Sequence, residues 1–318
     1  MTEFAETLRA ILRGERSDDD IQTFLTDLNT QGLNSEHVRI GVEIMRENMT
    51  PAPIAGAVDI VGTGGTGLHT LSISTATAFV CAGAGLRVAK HGNRAASSLT
   101  GTADTLSELG VNLAISPEKA AECVDKAGIG FLFAPNHHPA MRHVGPARKA
   151  IGKRTLFNLL GPMSNPASTK RMLVGVNNDD WRHLMADAFA GLGMEHVWVV
   201  HGSDGLDEIT TTGPTKVSEV IDGNVTEFTL SPESYGLPLT TIESLRGGHP
   251  AQNALALSEL LAGQHSDYRH IVSLNVGAAL MIGDKAKTIA DGIDMALASI
   301  DSGKARTALD KLIEVSNG

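Results

Sequence analysis

Gly62, Gly64, Gly65 and Gly67 follow the short apolar run Ala57–Val61, and the hydroxyls Thr70, Ser72, Ser74 and Thr75 follow them in turn. An alanine-rich stretch with helical character, from about Ala76, comes next. This order suits an anion-binding turn. Glycines tolerate positive φ and let backbone N–H groups approach a ligand. A helix N-terminus then adds unpaired donors and a partial positive charge. A second polar stretch, Lys90-His91-Gly92-Asn93-Arg94 with Ser97 and Ser98, follows the apolar run Leu86–Ala89. Two phosphate-friendly loops after two successive strands point to a ligand phosphorylated at more than one point.

Two other segments carry reactive side chains. Asn136-His137-His138-Pro139-Ala140-Met141-Arg142 follows a hydrophobic strand candidate. These histidines lack metalloprotease spacing, and no cysteine or carboxylate stands beside them, so they read as pocket walls. Arg148, a little further on, has the planar guanidinium that pairs bidentately with a carboxylate, although an arginine alone in such a context is more often a surface residue. Asp207 and Glu208 follow the strand candidate Val197–Val200. Adjacent acids on such a loop are either a magnesium seat completed by substrate phosphates or an exposed acidic turn.

The stretch Gly62–Gly67 also satisfies the dinucleotide fingerprint, but the region where that motif needs an acid for the ribose is the basic Lys90–Arg94. No Lys-Ser/Thr follows Gly67, which excludes a Walker loop, and no nucleophile elbow occurs.

The elements that must position these residues fall into three regions. In residues 1–54, Phe4, Leu8, Ile11 and Leu12 make one helical stripe, Ser17 opens a second helix, and Asn34 and Ser35 open a third. Pro51 and Pro53 end it. From Val58 onward strands alternate with helices: Ala57–Val61, Leu86–Ala89, Ile129–Ala134, Met172–Val176 and Val197–Val200, with helices over Pro117–Ala127 and Asp179–Ala190. That alternation predicts an α/β fold, a mostly parallel central sheet flanked by helices, with ligands at the carboxyl ends of the strands. Further strands are expected between Gly205 and Leu239. The last region is helical again, over Pro250–Ala262, Tyr268–Ile282, Thr288–Ser302 and Ala305–Val315, with a lone amide, Asn275, in an apolar helix.

A net charge of −10 disfavours nucleic acid or an anionic membrane as partner. No apolar run is long enough to span a bilayer, and residues 1–15 lack a signal-peptide core. Cys81 and Cys123 have no metal-site spacing and read as buried, reduced thiols in a cytoplasmic protein.

Taken together, the segments DIVGTGG, ISTATAF, VAKHGNR, SSLTGTAD, HHPAMR, PARKAIGKRTLFNLLGPMSNPA, GLDEITTTGPT, GGHPAQNA and SIDSGKA closely resemble the anthranilate phosphoribosyltransferase family. They stand in that family's order and cover most of the chain. The resemblance implies a small helical domain over residues 1–54, joined by helices from about 139–165, beside a large α/β domain over 55–318, paired as a homodimer. It implies transfer of phosphoribose from 5-phosphoribosyl 1-diphosphate to the amino group of anthranilate, with two magnesium ions per subunit, in the tryptophan branch. Carried over by motif, Gly62, Gly65, Thr66, Thr70, Ser72, Ser74, Thr75, Lys90, His91, Gly92, Asn93, Arg94, Ser97, Ser98 and Thr102 would line the phosphoribosyl diphosphate site. Gly62, Asn93, His138, Arg148 and Pro162 would meet anthranilate, and Ser74, Asp207 and Glu208 would hold metal. His91 and His138 are the candidates to take up the amine proton. Thr66 stands where the family commonly has an acid, Ser72 where it has asparagine, and Leu99 where it has lysine. A related phosphoribosyltransferase or nucleoside phosphorylase with another acceptor, and a non-catalytic ligand- or nucleic-acid-binding relative, are the rival readings.

Overall fold

The computed structural model describes residues 1–95 and 98–318. Three amphipathic helices open the chain, α1 (Thr2–Leu12), α2 (Asp18–Gln31) and α3 (Ser35–Glu47). Ser17 and Asn34 cap the second and third, each with a reciprocal bond from the third helical residue. The α/β region follows as β1 (Val58–Gly62), α4 (Ile73–Gly83), β2 (Val88–Gly92), α5 (Thr102–Glu108), α6 (Pro117–Ala127) and β3 (Ile129–Phe133). Short helices come next: α7 (Ala134–His137), α8 (Gly145–Ile151) and α9 (Leu156–Met163). Then come β4 (Arg171–Gly175), α10 (Asp179–Ala190), β5 (His196–Gly202), β6 (Thr215–Ile221) and β7 (Asn224–Leu230). Four helices close the chain: α11 (Pro250–Leu261), α12 (Asp267–Ile282), α13 (Ile289–Asp301) and α14 (Lys304–Asn317).

The sheet order is β3-β2-β1-β4-β5-β6-β7. The first five strands in that order are parallel, and β6 and β7 extend the sheet as an antiparallel hairpin between Gly205 and Leu239. The chain winds outward from β1 in one direction and from β4 in the other, so strand order reverses between these two neighbours. Such a reversal leaves a crevice at the carboxyl ends, because the loops leaving the two strands diverge. Helices α4, α12, α13 and α14 bury one face of the sheet around Phe79, Trp198 and Leu280. Helices α3, α9 and α10 cover the other around Leu160, Val174 and Phe189, with α1, α2 and α8 in the same apolar cluster.

Two of the boundaries that differ from the sequence reading bear on the site. Helix α4 begins at Ile73 rather than Ala76, so Ser74 and Thr75 sit in its first turn. Isoleucine and threonine have modest helix propensity, but the buried packing of Ile73 and Thr75 overrides it. Strand β2 runs on through Lys90, His91 and Gly92 instead of ending at Ala89. A lysine is tolerated inside this buried strand because Asp59 on neighbouring β1 offsets its charge.

Candidate active site

The parallel register sets Gly62 opposite Gly175 and Gly92 opposite Phe133, which aligns the strand ends along one rim of the sheet. Beyond β1, Gly64 and Gly65 adopt φ of 66° and 67°, and Gly67 follows at 74°. These left-handed values are open to glycine at little cost. The Gly64 N–H donates to Asp207 Oδ2 at 2.7 Å. The N–H groups of Gly65 and Thr66 find no acceptor among the described residues. The Thr66 hydroxyl accepts from Leu68 N at 3.2 Å and stays within its own loop.

The acid loop crosses this rim directly. A Cβ at Gly62 would run into the Asp207 carboxylate, and one at Gly175 into the Asp207 backbone. Glycine at both positions therefore lets the acids reach the switch point between β1 and β4. Asn275 secures the loop from below. Its Oδ1 accepts from Ile209 N at 3.0 Å, and its Nδ2 donates to Ile209 O at 2.8 Å. The lone amide of α12 thus fixes the residue next to Glu208. We expect Asn275→Leu to lower stability by about 2–4 kcal/mol, since it leaves two buried backbone groups unpaired. Thermal unfolding checks this, and an unchanged Tm would remove Asn275 from the role.

The electrostatics of the acid pair favour a cation. Burial raises the pKa of Asp207, and burial together with the Asp207 charge raises that of Glu208. The Ser74 backbone faces Glu208 from the first turn of α4. Beneath the pair lies the buried Lys90, whose ammonium donates to Ile60 O and, at 3.2 Å, to Ser74 Oγ. Burial lowers the Lys90 pKa, while Asp59, Glu208 and Asp207 oppose that shift. Asp59 itself is pushed up to about 6 by burial, against the pull of Lys90. Its carboxylate accepts from His91 N at 3.2 Å and from Asn165 Nδ2 at 2.7 Å, which fixes the end of β2. The donors at Asp207 and Glu208 are hard carboxylate oxygens, and two such groups leave most of an octahedral shell to phosphates and water, as magnesium prefers. No group of three or more His, Cys, Asp or Glu side chains suited to a metal occurs among the described residues.

Most of the hydroxyl-bearing residues have partners within the protein. The Ser72 hydroxyl pairs with Thr105 Oγ1 at 2.9 Å and accepts from Asn253 at 3.2 Å, while its carbonyl accepts from Tyr268 at 2.9 Å. Thr75 and Thr102 join hydroxyls at 3.3 Å, tying α4 to α5. Thr70 forms an isolated bridge with Arg246. Arg94 is already engaged: it pairs with Asp104 at 2.8 Å and lies over the Phe133 ring. Asn93 is exposed beyond the end of β2, and its carbonyl accepts from Ala103 N at 3.2 Å. The Ser98 hydroxyl donates to Thr100 O at 3.2 Å. Ser97 lies outside the described residues.

Next to Lys90 in β2, His91 packs against His138. The rings of His91 and His138 lie 5.0 Å apart. Both are buried, and among the described residues His91 Nε2 and the His138 nitrogens make no well-formed hydrogen bond, although the Gly161 backbone approaches His91 and the Ser164 backbone approaches His138. Gly161 and Ser164 flank them, and Pro162 is buried between these two in sequence at the end of α9. Burial, with the neighbouring histidines, holds His91 well below the ordinary histidine range and His138 at about 4. Both rings are therefore neutral at physiological pH. His137 bonds Thr50 O at 2.8 Å and serves as structure. Arg148 on α8 is half-buried, over the Phe157 ring and 3.5 Å from Asn158 Oδ1, with no carboxylate partner among the described residues. Burial lowers its pKa. An unneutralised guanidinium of this kind is suited to pairing with a carboxylate.

The depressed His138 has a stability consequence. Below about 6.5 the unfolded chain takes up a proton that folded His138 refuses until about 4. Stability present above pH 6.5 is therefore lost as pH falls through that window, by about 2–4 kcal/mol from this group. His138→Gln should flatten that part of the Tm–pH curve, and an unchanged curve would refute the assignment.

Sequence reasoning missed three positioning groups. Tyr268 and Asn253 carry no local motif and act through contacts remote in sequence. Arg154 likewise carries no local motif, although it reaches the glycine loop.

Known proteins resemble this chain along nearly its whole length. The model of a glycosyl transferase family, a/b domain, matches residues 55–306. The anthranilate phosphoribosyltransferase of Mesorhizobium japonicum is 51% identical over 318 residues, covering 99% of this chain and 94% of its own. That of Parvibaculum lavamentivorans is 50% identical, covering 97% and 91%. The Thermus thermophilus enzyme structure superposes with TM-score 0.94 at 38% identity, over 100% of this chain and 95% of that one. The Saccharomyces cerevisiae enzyme in complex with PRPP and Mg gives 0.91 at 27%, over 99% and 93%. With unsatisfied loop amides and a paired acid seat at one switch point, and near full-length identity of this order, the chain belongs to the anthranilate phosphoribosyltransferase family.

Proposed function

We infer that the protein transfers the phosphoribosyl group of 5-phosphoribosyl 1-diphosphate to the amino group of anthranilate, releasing diphosphate. One observation carries this reading. Asp207, which accepts from the Gly64 N–H, Glu208 and buried Lys90 converge at the carboxyl ends of β1 and β2, where the Gly65 and Thr66 amides find no acceptor among the described residues. Asp207 and Glu208, with Ser74 beside Glu208, would hold magnesium, in keeping with the metal bound in the yeast structure. When bound, the metal stabilises negative charge developing on the leaving diphosphate. Two ions per subunit is the stoichiometry proposed.

The chain's own residues supply the rest. Lys90 and the loop amides hold the diphosphate oxygens, preorganised by the strand ends, so charge that grows as the ribose C1–O bond breaks meets donors already in place. Hydroxyls of Ser74, Thr75, Thr102 and Ser98 would extend that site toward the sugar phosphate. Arg148 binds the anthranilate carboxylate, and His91, His138 and Pro162 sandwich the ring, which orients the amine toward C1. An arylamine loses its proton only after bonding to C1, so a neutral imidazole is a sufficient acceptor. Nucleic acid and membrane have no place in this reading, and no helix is long and apolar enough to cross a membrane among the described residues.

Residues 1–54, joined by the helices within 139–165, form the smaller of two bodies, with 55–318 as the larger. Packing of α1–α3 against α8 and α9 supports this division. The enzyme works as a homodimer in the cytoplasm, where its two free, buried cysteines stay reduced. Loss of anthranilate fluorescence on adding the diphosphate substrate and magnesium tests the reaction. Turnover with other aromatic amines or bases, and none with anthranilate, would replace the acceptor assignment.

A further inference from the structure

Arg154 lies between α8 and α9, immediately before Thr155, the cap of α9, and it leaves that region to reach the glycine loop. Its Nη2 donates to Gly64 O, and its Nη1 donates to Asn177 Oδ1 at 2.6 Å. Asn177 in turn donates from Nδ2 to Gly65 O at 2.8 Å. The two consecutive carbonyls of the left-handed turn are thus held by one linked pair of side chains. The guanidinium also occupies the space a Cβ at Gly65 would need, and stacks 4.9 Å from the Trp181 ring.

The consequence follows from peptide geometry. Each peptide is planar and trans, so a fixed carbonyl fixes the following N–H in the opposite direction. Successive left-handed residues aim their N–H groups to one side, which makes an anion-binding concavity. Gly64 N–H already points at Asp207, which identifies that side as the cleft. Holding Gly64 O and Gly65 O outward therefore holds the Gly65 and Thr66 amides inward, without any contact between Arg154 and the ligand.

We propose that Arg154, acting with Asn177, is a positioning residue that presets the glycine-loop amides for the diphosphate of the donor substrate. This deepens the phosphoribosyl-transfer reading and rests on it. Arg154 lines a solvent-open cavity of about 550 Å³ together with Asn29, Trp181 and Leu184. Truncation there admits water and does not hollow a sealed core.

Steady-state kinetics on the purified full-length enzyme test the proposal, with phosphoribosyl diphosphate and anthranilate varied separately at saturating magnesium. Arg154→Ala should raise the donor KM by about tenfold or more, leave the anthranilate KM within about twofold, and leave Tm nearly unchanged. Arg154→Lys should recover only part of the loss, because one ammonium cannot reproduce the guanidinium fork. Asn177→Ala should act in the same direction, and the double variant should fall short of the product of the two single effects. A donor KM equal to that of the parent enzyme in both single variants would overturn the proposal. So would parallel rises in both KM values with a fallen Tm, which mark a purely structural residue. A parent enzyme that turns over no phosphoribosyl diphosphate would overturn the functional reading itself, a result distinct from either.

Discussion

Asp207→Asn with Glu208→Gln should lower kcat/KM by about 10³-fold or more while leaving Tm unchanged or higher. The argument for activity is that these carboxylates are the acids positioned at the switch point. Asp207 reaches it only because Gly62 and Gly175 lack side chains. The argument for stability runs the other way. Both pKa values are raised by burial, and that of Glu208 further by Asp207. A carboxyl with a raised folded pKa contributes stability that is present below its unfolded value and lost as pH rises through the folded one. At neutral pH burying the pair without metal is thus a burden on the fold, which neutral amides relieve. Activity assays across a magnesium titration, paired with thermal melts, check both halves. Wild-type activity in the double variant would sink the metal role. A large drop in Tm would show that the pair is chiefly structural.

Arg148→Ala should raise the anthranilate KM by about 10- to 100-fold, the effect of losing charge-assisted hydrogen bonds to a carboxylate. kcat at saturating anthranilate should change little, because Arg148 touches the acceptor and not the breaking bond. The residue has no anionic partner to abandon, so its removal leaves no buried charge unpaired. Initial rates with anthranilate varied at saturating donor separate the two parameters. A collapse of kcat with KM unchanged would move Arg148 from acceptor binding to the chemical step.

The strands and helices that frame the site were legible because their local signals agree. Ser116, Pro117 and Gly128 bound α6 as their capping chemistry dictates, and Gly128 takes the left-handed φ of 78° that stops it. The hairpin of β6 and β7 was only weakly marked, since β7 is exposed along nearly its whole length and alternation has no buried face to report. Lys90 read as a loop residue because a strand lysine is rare without a partner, and Asp59, which supplies one, lies on another strand. The same limit applies to Arg154, Asn253 and Tyr268. Each acts through a backbone group distant in sequence, and no spacing rule links a side chain to a carbonyl it meets only after folding. Asn275 is the exception. A single amide in an apolar helix announces that something must satisfy it, although not what.

The glycine loop is anchored by Arg154 from before α9, Asn177 from after β4 and Asp207 from after β5, and Asp207 is steadied through Ile209 by Asn275 on α12. A ribosome must therefore release the chain past α12 before this turn can settle, however early its glycines emerge. Nascent fragments ending sooner would carry the motif yet grip the donor sugar poorly, so affinity for it gauges how completely a molecule has matured.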